Sequence, residues 1–413
     1  MSLSATHSPA RPSAPLAPPV WIERGSRDYG RVGLALFLAG FSTFSLLYCV
    51  QPLLPEFARS FAIGPAESAL ALSLTTGFLA FAIFLAGALS QTVPRRGLMF
   101  ASMAAAAILN FVAALAPNWH AFLAARALEG LVLGGVPAVA MAYLAEEIDP
   151  RHLGRSMGLY VAGTAFGAMM GRVGMGVLTE IASWQTAMAL LGLVDLAAAV
   201  GFALLLPASR NFVARRGLDA RHHAATWGTL LRHRPLLRLY GVGFVLTSVF
   251  VTLFNYASFR LSEPPYGLGQ TAISLIFLVY GFGMFASSLA GGLADRFGRR
   301  PALAAGLALM AAGILLTLLA PLPLIAAGIV LVTIGFFTAH SVASGWVGRL
   351  AGASKSHAAS LYLLFYYVGS SVTGSVGGWF WEHGGWPAVV GLTGALALAG
   401  LALALGIADR RAA

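Results

Sequence analysis

The sequence predicts an all-α integral membrane protein with twelve transmembrane helices in two six-helix halves and both termini in the cytoplasm. Three observations lead to this fold class: the apolar composition, a series of long apolar stretches, and motifs that recur at a nearly constant spacing. Of 413 residues, 58% are hydrophobic and only 10% are charged, and the mean hydropathy is +0.79. An ordinary soluble domain carries about 25% charged residues. Lipid is therefore the expected solvent for most of this chain.

The first thirty residues, MSLSATHSPARPSAPLAPPVWIERGSRDYG, are rich in Pro, Ser and Ala and lack the apolar stretch of a cleavable secretory signal. We expect residues 1–30 to form a disordered cytoplasmic tail. The single cysteine, Cys49, lies in an apolar run, which excludes an internal disulfide and a cysteine-based metal site. Neither a metal nor another cofactor is expected.

Long apolar stretches follow the tail. A spanning helix needs about 20 mostly apolar residues, because roughly 30 Å of hydrocarbon is crossed at 1.5 Å per residue. Stretches of this kind occupy residues 31–55, 66–90, 98–116, 119–144, 153–179, 184–206, 236–261, 271–294, 301–320, 322–348, 357–381 and 385–407. They predict an N-terminal bundle at 31–206 and a C-terminal bundle at 236–408, joined by a cytoplasmic linker at 207–235.

The basic residues predict the orientation. Short loops that are rich in Lys and Arg stay in the cytoplasm. With the N-terminus inside, only four of the 26 basic residues, namely Arg59, Arg126, Arg172 and Arg260, lie outside the predicted cytoplasmic segments. A nucleic-acid binder would instead cluster its basic residues on one face or helix. The net charge of +11 therefore indicates topological anchors, and no nucleic-acid partner is expected.

Several motifs recur between the two halves. Residues 87–99 read GALSQTVPRRGLM and residues 291–303 read GGLADRFGRRPAL, so that Gln91 stands where the second copy has Asp295, 204 residues later. Ala116-Pro117 recurs as Ala320-Pro321 at the same spacing, while Leu159-Tyr160 and Trp184 recur as Leu361-Tyr362 and Trp386 at a spacing of 202. Repeats in one register predict two halves with the same helix order, which enclose a site between them.

These motifs resemble those of the major facilitator superfamily, across residues 30 to 408. GGLADRFGRRPAL looks like the family's signature between the second and third helix of a half, and LAARALEG (123–130) resembles its fourth-helix signature. GTAFGAMMGR (163–172) is similar to the fifth-helix antiporter signature, with Ala168 and Arg172 as departures. YCVQPLLP (48–55) looks like the first-helix ending of drug:proton antiporters. The chain is most similar to the YnfM-like bacterial inner-membrane efflux permeases, which implies a multi-pass protein of that membrane.

By this resemblance the duplicated motif is a cytoplasmic latch. In each half the motif faces the start of a helix of the other half, which for Asp295 is the fifth helix near Leu153 to Ser156. Gln91 faces the eleventh helix near Ser354 to Ser356 and brings no charge, so Asp295 is expected to hold most of the latch. The gating residues are Gly87, Gln91, Arg95, Arg96, Gly291, Asp295, Arg296, Gly298, Arg299 and Arg300. The alternative is that these residues only anchor the loops.

Charged residues inside the spans are candidates for proton coupling. Each costs at least about 2.5 kcal/mol on insertion scales, so it needs a partner or water. Arg126 and Glu129 are three residues apart on a helix and can pair. Glu129 could take up a proton when the pair separates, or the pair could be permanently structural. Asp195, with Arg172 as its candidate partner by depth, and His340 are the further candidates; a structural role is the alternative for each.

Two groups of uncharged residues complete the predicted site. Gly163, Gly167 and Gly171 repeat every fourth residue, which together with Arg172 predicts close helix packing along one face of the fifth helix. Polar and aromatic residues at the expected cavity are Tyr48, Gln51, Asn255, Tyr256, Tyr362, Phe365, Tyr366 and Ser370. Their alternatives are lipid contact and helix packing.

The expected function is secondary active export of a small amphipathic, drug-like solute against inward proton flow, by a monomer in the lipid bilayer. Sugar or organic-anion efflux, or uniport, is the alternative within transport. An integral membrane enzyme is the alternative from another class, but it would need a cluster of His, Asp or Glu, and only His222-His223 and scattered single residues occur. No Walker-type phosphate loop occurs either, so that direct use of ATP is not expected.

Overall fold

The computed structural model describes residues 20–89, 94–212 and 220–407. Within these ranges the chain is helical, and its one extended contact is an isolated bridge between Ile22 and Ile148. The tail is thus described only from Val20, and Gln91 of the first motif copy lies outside the described residues.

The N-terminal half comprises α1 (Arg27–Tyr48), α2 (Leu54–Phe61), α3 (Pro65–Ser68), α4 (Leu70–Leu89), α5 (Arg95–Ala114), α6 (Trp119–Leu133), α7 (Pro137–Glu147), α8 (Leu153–Ile181) and α9 (Trp184–Leu205). A linker helix follows, α10 (Ala220–Arg232). The C-terminal half comprises α11 (Arg234–Ser262), α12 (Gln270–Leu275), α13 (Tyr280–Phe297), α14 (Arg299–Leu316), α15 (Leu322–Leu350) and α16 (Lys355–Leu405). Short 3-10 helices occur at Gln51–Leu53, Ile276–Val279 and Gly352–Ser354.

Ten helical stretches of the described chain are long and apolar enough to cross a membrane. Two local features account for the difference between these ten stretches and the twelve crossings that the sequence predicts. The longest stretch, Gly352–Leu405, contains a break at Gly385, whose φ of 58° lies in the left-handed region that favours glycine. The predicted fourth span is divided into α6 and α7, which have 15 and 11 residues. The count of twelve crossings therefore stays a prediction.

The division between α6 and α7 has a local cause. The helix stops after Leu133, and Pro137 opens the next helix, where its missing N–H costs no helical hydrogen bond. In the middle of one continuous helix the same proline would remove a hydrogen bond and clash with the preceding turn. A Cβ atom on Gly134 would approach the Ala82 backbone carbon to 3.1 Å, so the glycine at this interruption also lets α6 lie close to α4.

The packing of the helices repeats between the halves. Helix α1 packs along α8 in the first half, as α11 packs along α16 in the second. Across the halves, α4 packs against α16 and α8 packs against α12. We call the end of the molecule where α1 begins the proximal end, and the end where α1 finishes and α12 begins the distal end. The sequence predicts that the proximal end faces the cytoplasm.

The linker helix α10 contacts both halves at the proximal end. The Trp227 ring lies against the Phe84 ring of α4, with 4.1 Å between the ring centroids. A ring nitrogen of His223 lies 2.8 Å from one of His357, at the start of α16. The helix lies inside the linker that the sequence predicts at 207–235, and it ties the two halves together on one side.

Candidate functional site

A cavity of about 350 Å³ lies between the two halves. Its wall includes Phe44, Tyr48, Tyr160, Thr164, Ala168 and Arg172 from the N-terminal half, and Thr247, Phe250, Tyr280, Phe336, His340, Tyr366 and Tyr367 from the C-terminal half. Pro137 and Met141, just after the interruption between α6 and α7, also line it. Aromatic and apolar side chains predominate; the tyrosines and threonines bring hydroxyl groups, and Arg172 and His340 bring the nitrogen groups. Such a wall fits a small solute with an apolar body and few polar groups.

Of the eight residues predicted for the cavity, Tyr48 and Tyr366 lie on its wall in this conformation. Tyr362 lies just behind it, with its hydroxyl 2.9 Å from Nδ1 of the wall residue His340. The Phe365 ring stacks on Tyr240 instead. The other four are buried in contacts between helices: Gln51, Asn255, Tyr256 and Ser370.

Two of these buried residues join the halves. The Gln51 side-chain amide donates to Oδ1 of Asn255 at 2.8 Å. The spacing between them is 204 residues, the same as that of the duplicated motif, so the two amides are equivalent positions in the two halves. Instead of lining the cavity, they bind each other at its distal end.

Arg172 is buried at the distal end of the cavity. Its Nε donates to Oε1 of Gln51 at 2.7 Å, and its Nη1 donates to the Ala168 carbonyl oxygen. Its guanidinium carbon lies 4.0 Å from the ring centroid of Tyr48 and 4.9 Å from that of Tyr280. The aromatic faces stabilise the cation through their quadrupoles.

The pairing of Arg172 with Asp195 expected by depth is wrong. Both carboxylate oxygens of Asp195 instead accept from the Ser45 hydroxyl, at 3.0 and 3.2 Å. Ser45 lies on α1, which runs between α8 and α9, so the two charged side chains are separated by that helix. The position of a residue along a predicted span indicates its depth in the membrane, but it does not indicate on which side of the helix a partner lies.

Arg126 and Glu129 form a fully buried ion pair, with Nη1 2.6 Å from Oε2. Arg126 also donates to the carbonyl oxygens of Leu46, Leu47 and Ala71, which ties α6 to α1 and α4. The second carboxylate oxygen of Glu129, Oε1, has no hydrogen-bond partner among the described residues. The pair expected from the sequence is thus present, and half of its carboxylate is unsatisfied.

The glycines of α8 lie against α1. A Cβ atom at Gly163, Gly167 or Gly171 would lie 2.7 to 2.9 Å from a backbone Cα atom of that helix. Real Cβ atoms do not approach backbone so closely, so the two helices can reach this separation only with glycine at these positions. Close packing of α8 on α1 fixes Arg172, on the same helix, at the end of the cavity.

The distal end carries a pair of contacts that sequence reasoning missed. Glu382, just before the break at Gly385 in α16, accepts from the backbone N–H of Ala66 at 3.1 Å. Glu180, at the end of α8, accepts from the N–H of Thr271 at 2.9 Å. Each carboxylate crosses to the first turn of the second spanning helix of the other half, where backbone N–H groups lack helical partners. We call these two contacts the distal clasp.

The distal clasp has the symmetry of the repeat. Glu180 and Glu382 are 202 residues apart, the spacing that also relates Trp184 to Trp386. A glycine precedes each turn that donates its N–H, and a Cβ atom would lie 2.7 Å from Glu382 Oε1 at Gly64 and 2.9 Å from Glu180 Oε1 at Gly269. The common spacing of the two glutamates was the signal in the sequence that could have revealed them.

Among the described residues, the second motif copy at the proximal end makes no hydrogen bond or ion pair with the opposite half. The Asp295 side chain is 75% exposed, and its ion pair is with Arg299 in the same segment, at 3.5 Å. Gly298 adopts a φ of 95° between α13 and α14, so the shape of this turn depends on glycine. In the first copy, Arg95 pairs with Glu146 at 2.7 Å and Arg96 donates to the Ala203 carbonyl. The predicted contact between Asp295 and the helix start at Leu153 to Ser156 is absent from this conformation and stays a prediction for another one.

Helices of this length, a duplicated bundle and a cavity between the bundles define a membrane transporter. The sequence model of the Major Facilitator Superfamily matches residues 36–285 and 263–412. The chain belongs to this family, and it is a multi-pass protein of the bacterial inner membrane.

Its relatives are similar over nearly their whole length. The chain is 43% identical to the uncharacterized MFS-type transporter YybF of Bacillus subtilis over 90% of this chain and 92% of that protein. It is 42% identical to the inner membrane transport protein YnfM of Escherichia coli, over 90% of this chain and 89% of that protein. The family expected from the sequence is therefore confirmed.

Two solved structures show the same fold at low sequence identity. A bacterial homologue of the human lysosomal transporter Spinster, in an inward-facing and unoccupied conformation, has a TM-score of 0.70 at 14% identity and covers 93% of this chain and 95% of that chain. A point mutant of the nucleoside transporter NupG has a TM-score of 0.75 at 13% identity, covering 90% of this chain and 99% of that chain.

Proposed function

We propose that this transporter exports a small amphipathic solute in exchange for protons by alternating access. The observation that carries the proposal is the cavity between the halves, with cross-half contacts at its distal end and the Asp295 motif disengaged at its proximal end. The two bundles, 31–206 and 236–408, would rock against each other to move this opening from one end to the other. The arrangement corresponds to an inward-open state, with the proximal end in the cytoplasm.

Proton coupling is assigned to the buried pair of Arg126 and Glu129. A carboxylate in a membrane is costly without compensation, and Glu129 Oε1 lacks a partner among the described residues. Separation of the pair would leave Glu129 without its cation, and binding a proton would then remove the charge. Asp195, held by the neutral Ser45 hydroxyl, and His340, on the cavity wall, are the alternative carriers. The protein would perform this cycle as a monomer.

Two other functions compete with this proposal. Uniport of a sugar or an organic anion would use the same cavity without a proton carrier. A membrane enzyme would need a catalytic cluster, and the described residues contain no group of three or more His, Cys, Asp and Glu side chains suited to a metal. The surface of the cavity wall is predominantly apolar, which suits a sugar less well than an amphipathic solute.

The test uses purified protein in liposomes with an internal pH dye and a panel of drugs, sugars and organic acids. A substrate should move protons in the wild type. Glu129→Gln keeps the shape of the side chain but cannot titrate, so uphill accumulation should be lost while downhill exchange of the same solute continues. Glu56→Gln, which removes a carboxyl that pairs with Arg59 at the distal surface, is the matched control and should accumulate solute normally.

Accumulation by Glu129→Gln at the wild-type level would reassign coupling to Asp195 or His340, and the Asp195→Asn and His340→Gln variants would then be compared. Downhill transport without proton movement in the wild type would instead support uniport. If no solute of the panel crossed the membrane, the result would contradict transport of these classes of compound through the cavity.

A further inference from the structure

Arg126 and Arg172 are the fully buried arginines of the described residues, and their charges are compensated differently. Arg126 is neutralised by Glu129 and donates to three backbone carbonyl oxygens as well. Arg172 is equally buried, yet no carboxylate of the described residues lies within 4.0 Å of it. Its hydrogen bonds go to a neutral amide and a backbone carbonyl. Arg172 is therefore a buried cation without a counter-ion in the described chain.

The unpaired charge of Arg172 faces the cavity. Its guanidinium lies on the wall, and Nη2 makes no hydrogen bond within the described residues. The rings of Tyr48 and Tyr280, which cover its faces, also line the cavity and offer phenolic hydroxyls. The described residues of the wall include no Asp or Glu. The distal end of the cavity thus has a fixed positive charge, donor groups and no competing carboxylate.

We propose that this end of the cavity is an anion subsite, and that the transported solute is an amphipathic monoanion whose carboxylate pairs with Arg172. This inference rests on the proposed transport function and specifies its substrate class. Guanidinium groups bind carboxylates through charge-assisted hydrogen bonds, which are stronger than bonds between neutral groups. The apolar body of the solute then lies among the rings of Phe250, Phe336 and Tyr366, toward the proximal end.

The same charge excludes other solutes. A cationic drug would meet Arg172 in a region of low polarity, where like charges repel strongly. A neutral amphipath would fit the aromatic part but leave the guanidinium without a counter-ion. A carboxylate supplies the compensation that Arg126 receives from Glu129, so an anion gains more from binding here than a neutral solute of the same shape.

The test compares each acid with its own amide, using 2-naphthoate with 2-naphthamide and 4-phenylbutyrate with 4-phenylbutyramide. Binding to the purified full-length protein is measured by thermal stabilisation at pH 7, where the acids are ionised. The wild type should bind an acid about tenfold or more tightly than its amide, as expected for a hydrogen bond to a charged group. Equal binding of acid and amide, or no binding of any acid, would overturn the proposal.

Variants test whether the preference for the acid depends on Arg172. Arg172→Gln should lose the preference for the acid and bind both members of a pair alike, whereas Arg172→Lys should keep part of it because it keeps the charge. Arg59→Gln removes a positive charge from the exposed distal surface and should leave the preference unchanged. A tenfold preference that survives in Arg172→Gln would contradict the proposal. If that variant does not fold, the wild-type comparison and the Arg172→Lys variant still decide it.

Transport measurements in liposomes distinguish the proposal of the anion subsite from the proposal of proton-coupled export. Transport of neutral amphipaths with no preference for acids would contradict the anion subsite but would leave the proposal of proton-coupled efflux standing. Binding of acids that depends on Arg172, with no transport of any solute, would support the subsite and contradict the transport function.

Discussion

The two ends of the molecule are built from the same repeat but make different contacts between the halves. At the distal end, Glu180 and Glu382 each bind the first turn of a helix in the other half, and the Gln51 amide binds Asn255 between them. At the proximal end, Asp295 is 75% exposed and pairs within its own segment. Only the linker helix α10 touches both halves there through described ring contacts.

This difference indicates that, in this conformation, the distal end is closed and the proximal end is open. Both ends use a carboxylate opposite a helix start: Glu180 and Glu382 in the distal clasp, and Asp295 in the predicted proximal latch. The distal clasp has an acid in both halves. The proximal latch has Gln91 in one half, without a charge. We therefore expect the distal end to be held by two similar contacts and the proximal end mainly by one.

Removal of both clasp carboxylates should have the largest effect. Each exposed carboxylate at a helix start is worth about 0.3 to 1 kcal/mol, so Glu180→Gln with Glu382→Gln should shift the equilibrium toward the distal-open state by roughly three- to thirtyfold. The measurement is thiol labelling of Ser73→Cys in a Cys49→Ser background. Ser73 is buried where α4 meets α16, and we expect it to become accessible when the distal end opens.

The control for the clasp is Glu56→Gln, which removes a distal carboxylate that pairs with Arg59 within its own segment. It should label at the rate of the parent. Unchanged labelling of Ser73→Cys in the double glutamine variant would show that the clasp contributes nothing to closure.

Neutralisation of Asp295 should have a smaller effect in the opposite direction. Asp295→Asn removes one contact of about 0.3 to 1 kcal/mol from the proximally closed state, so the open proximal state should gain roughly two- to fivefold. Thr164→Cys on the cavity wall, again in a Cys49→Ser background, should label faster from the proximal side. Gln91→Asp should have the reverse effect, because it adds the missing charge. Unchanged labelling in Asp295→Asn would leave the motif as a loop anchor.

The repeat, the family and the helix positions could be predicted because they depend on local composition and on motifs within short segments. Arg172 could be identified as important but not given its partner, since Asp195 lies across α1 from it. The sequence predicts the amides of Gln51 and Asn255 at the cavity, whereas they bind each other between the halves. Contacts of this kind depend on which helices meet across the interface, and no single stretch of sequence contains that information.

The glycines of the distal clasp should give the smallest effect and separate its geometry from its charge. Gly64 and Gly269 have extended backbone, with φ of −73° and −67°, so alanine is free of backbone strain at either position. The added methyl group would lie 2.7 Å from Glu382 Oε1 or 2.9 Å from Glu180 Oε1, which forces the flexible carboxylate outward while its charge remains. Gly64→Ala with Gly269→Ala should therefore weaken the clasp only in part, by about twofold in Ser73→Cys labelling, below the effect of the two glutamine substitutions. Gly281→Ala, on α13 with no atom of another helix within 4 Å of the new methyl group, should label like the parent. Labelling of the alanine pair as fast as that of the glutamine pair would mean that the position of each carboxylate, and not its charge alone, holds the distal end closed.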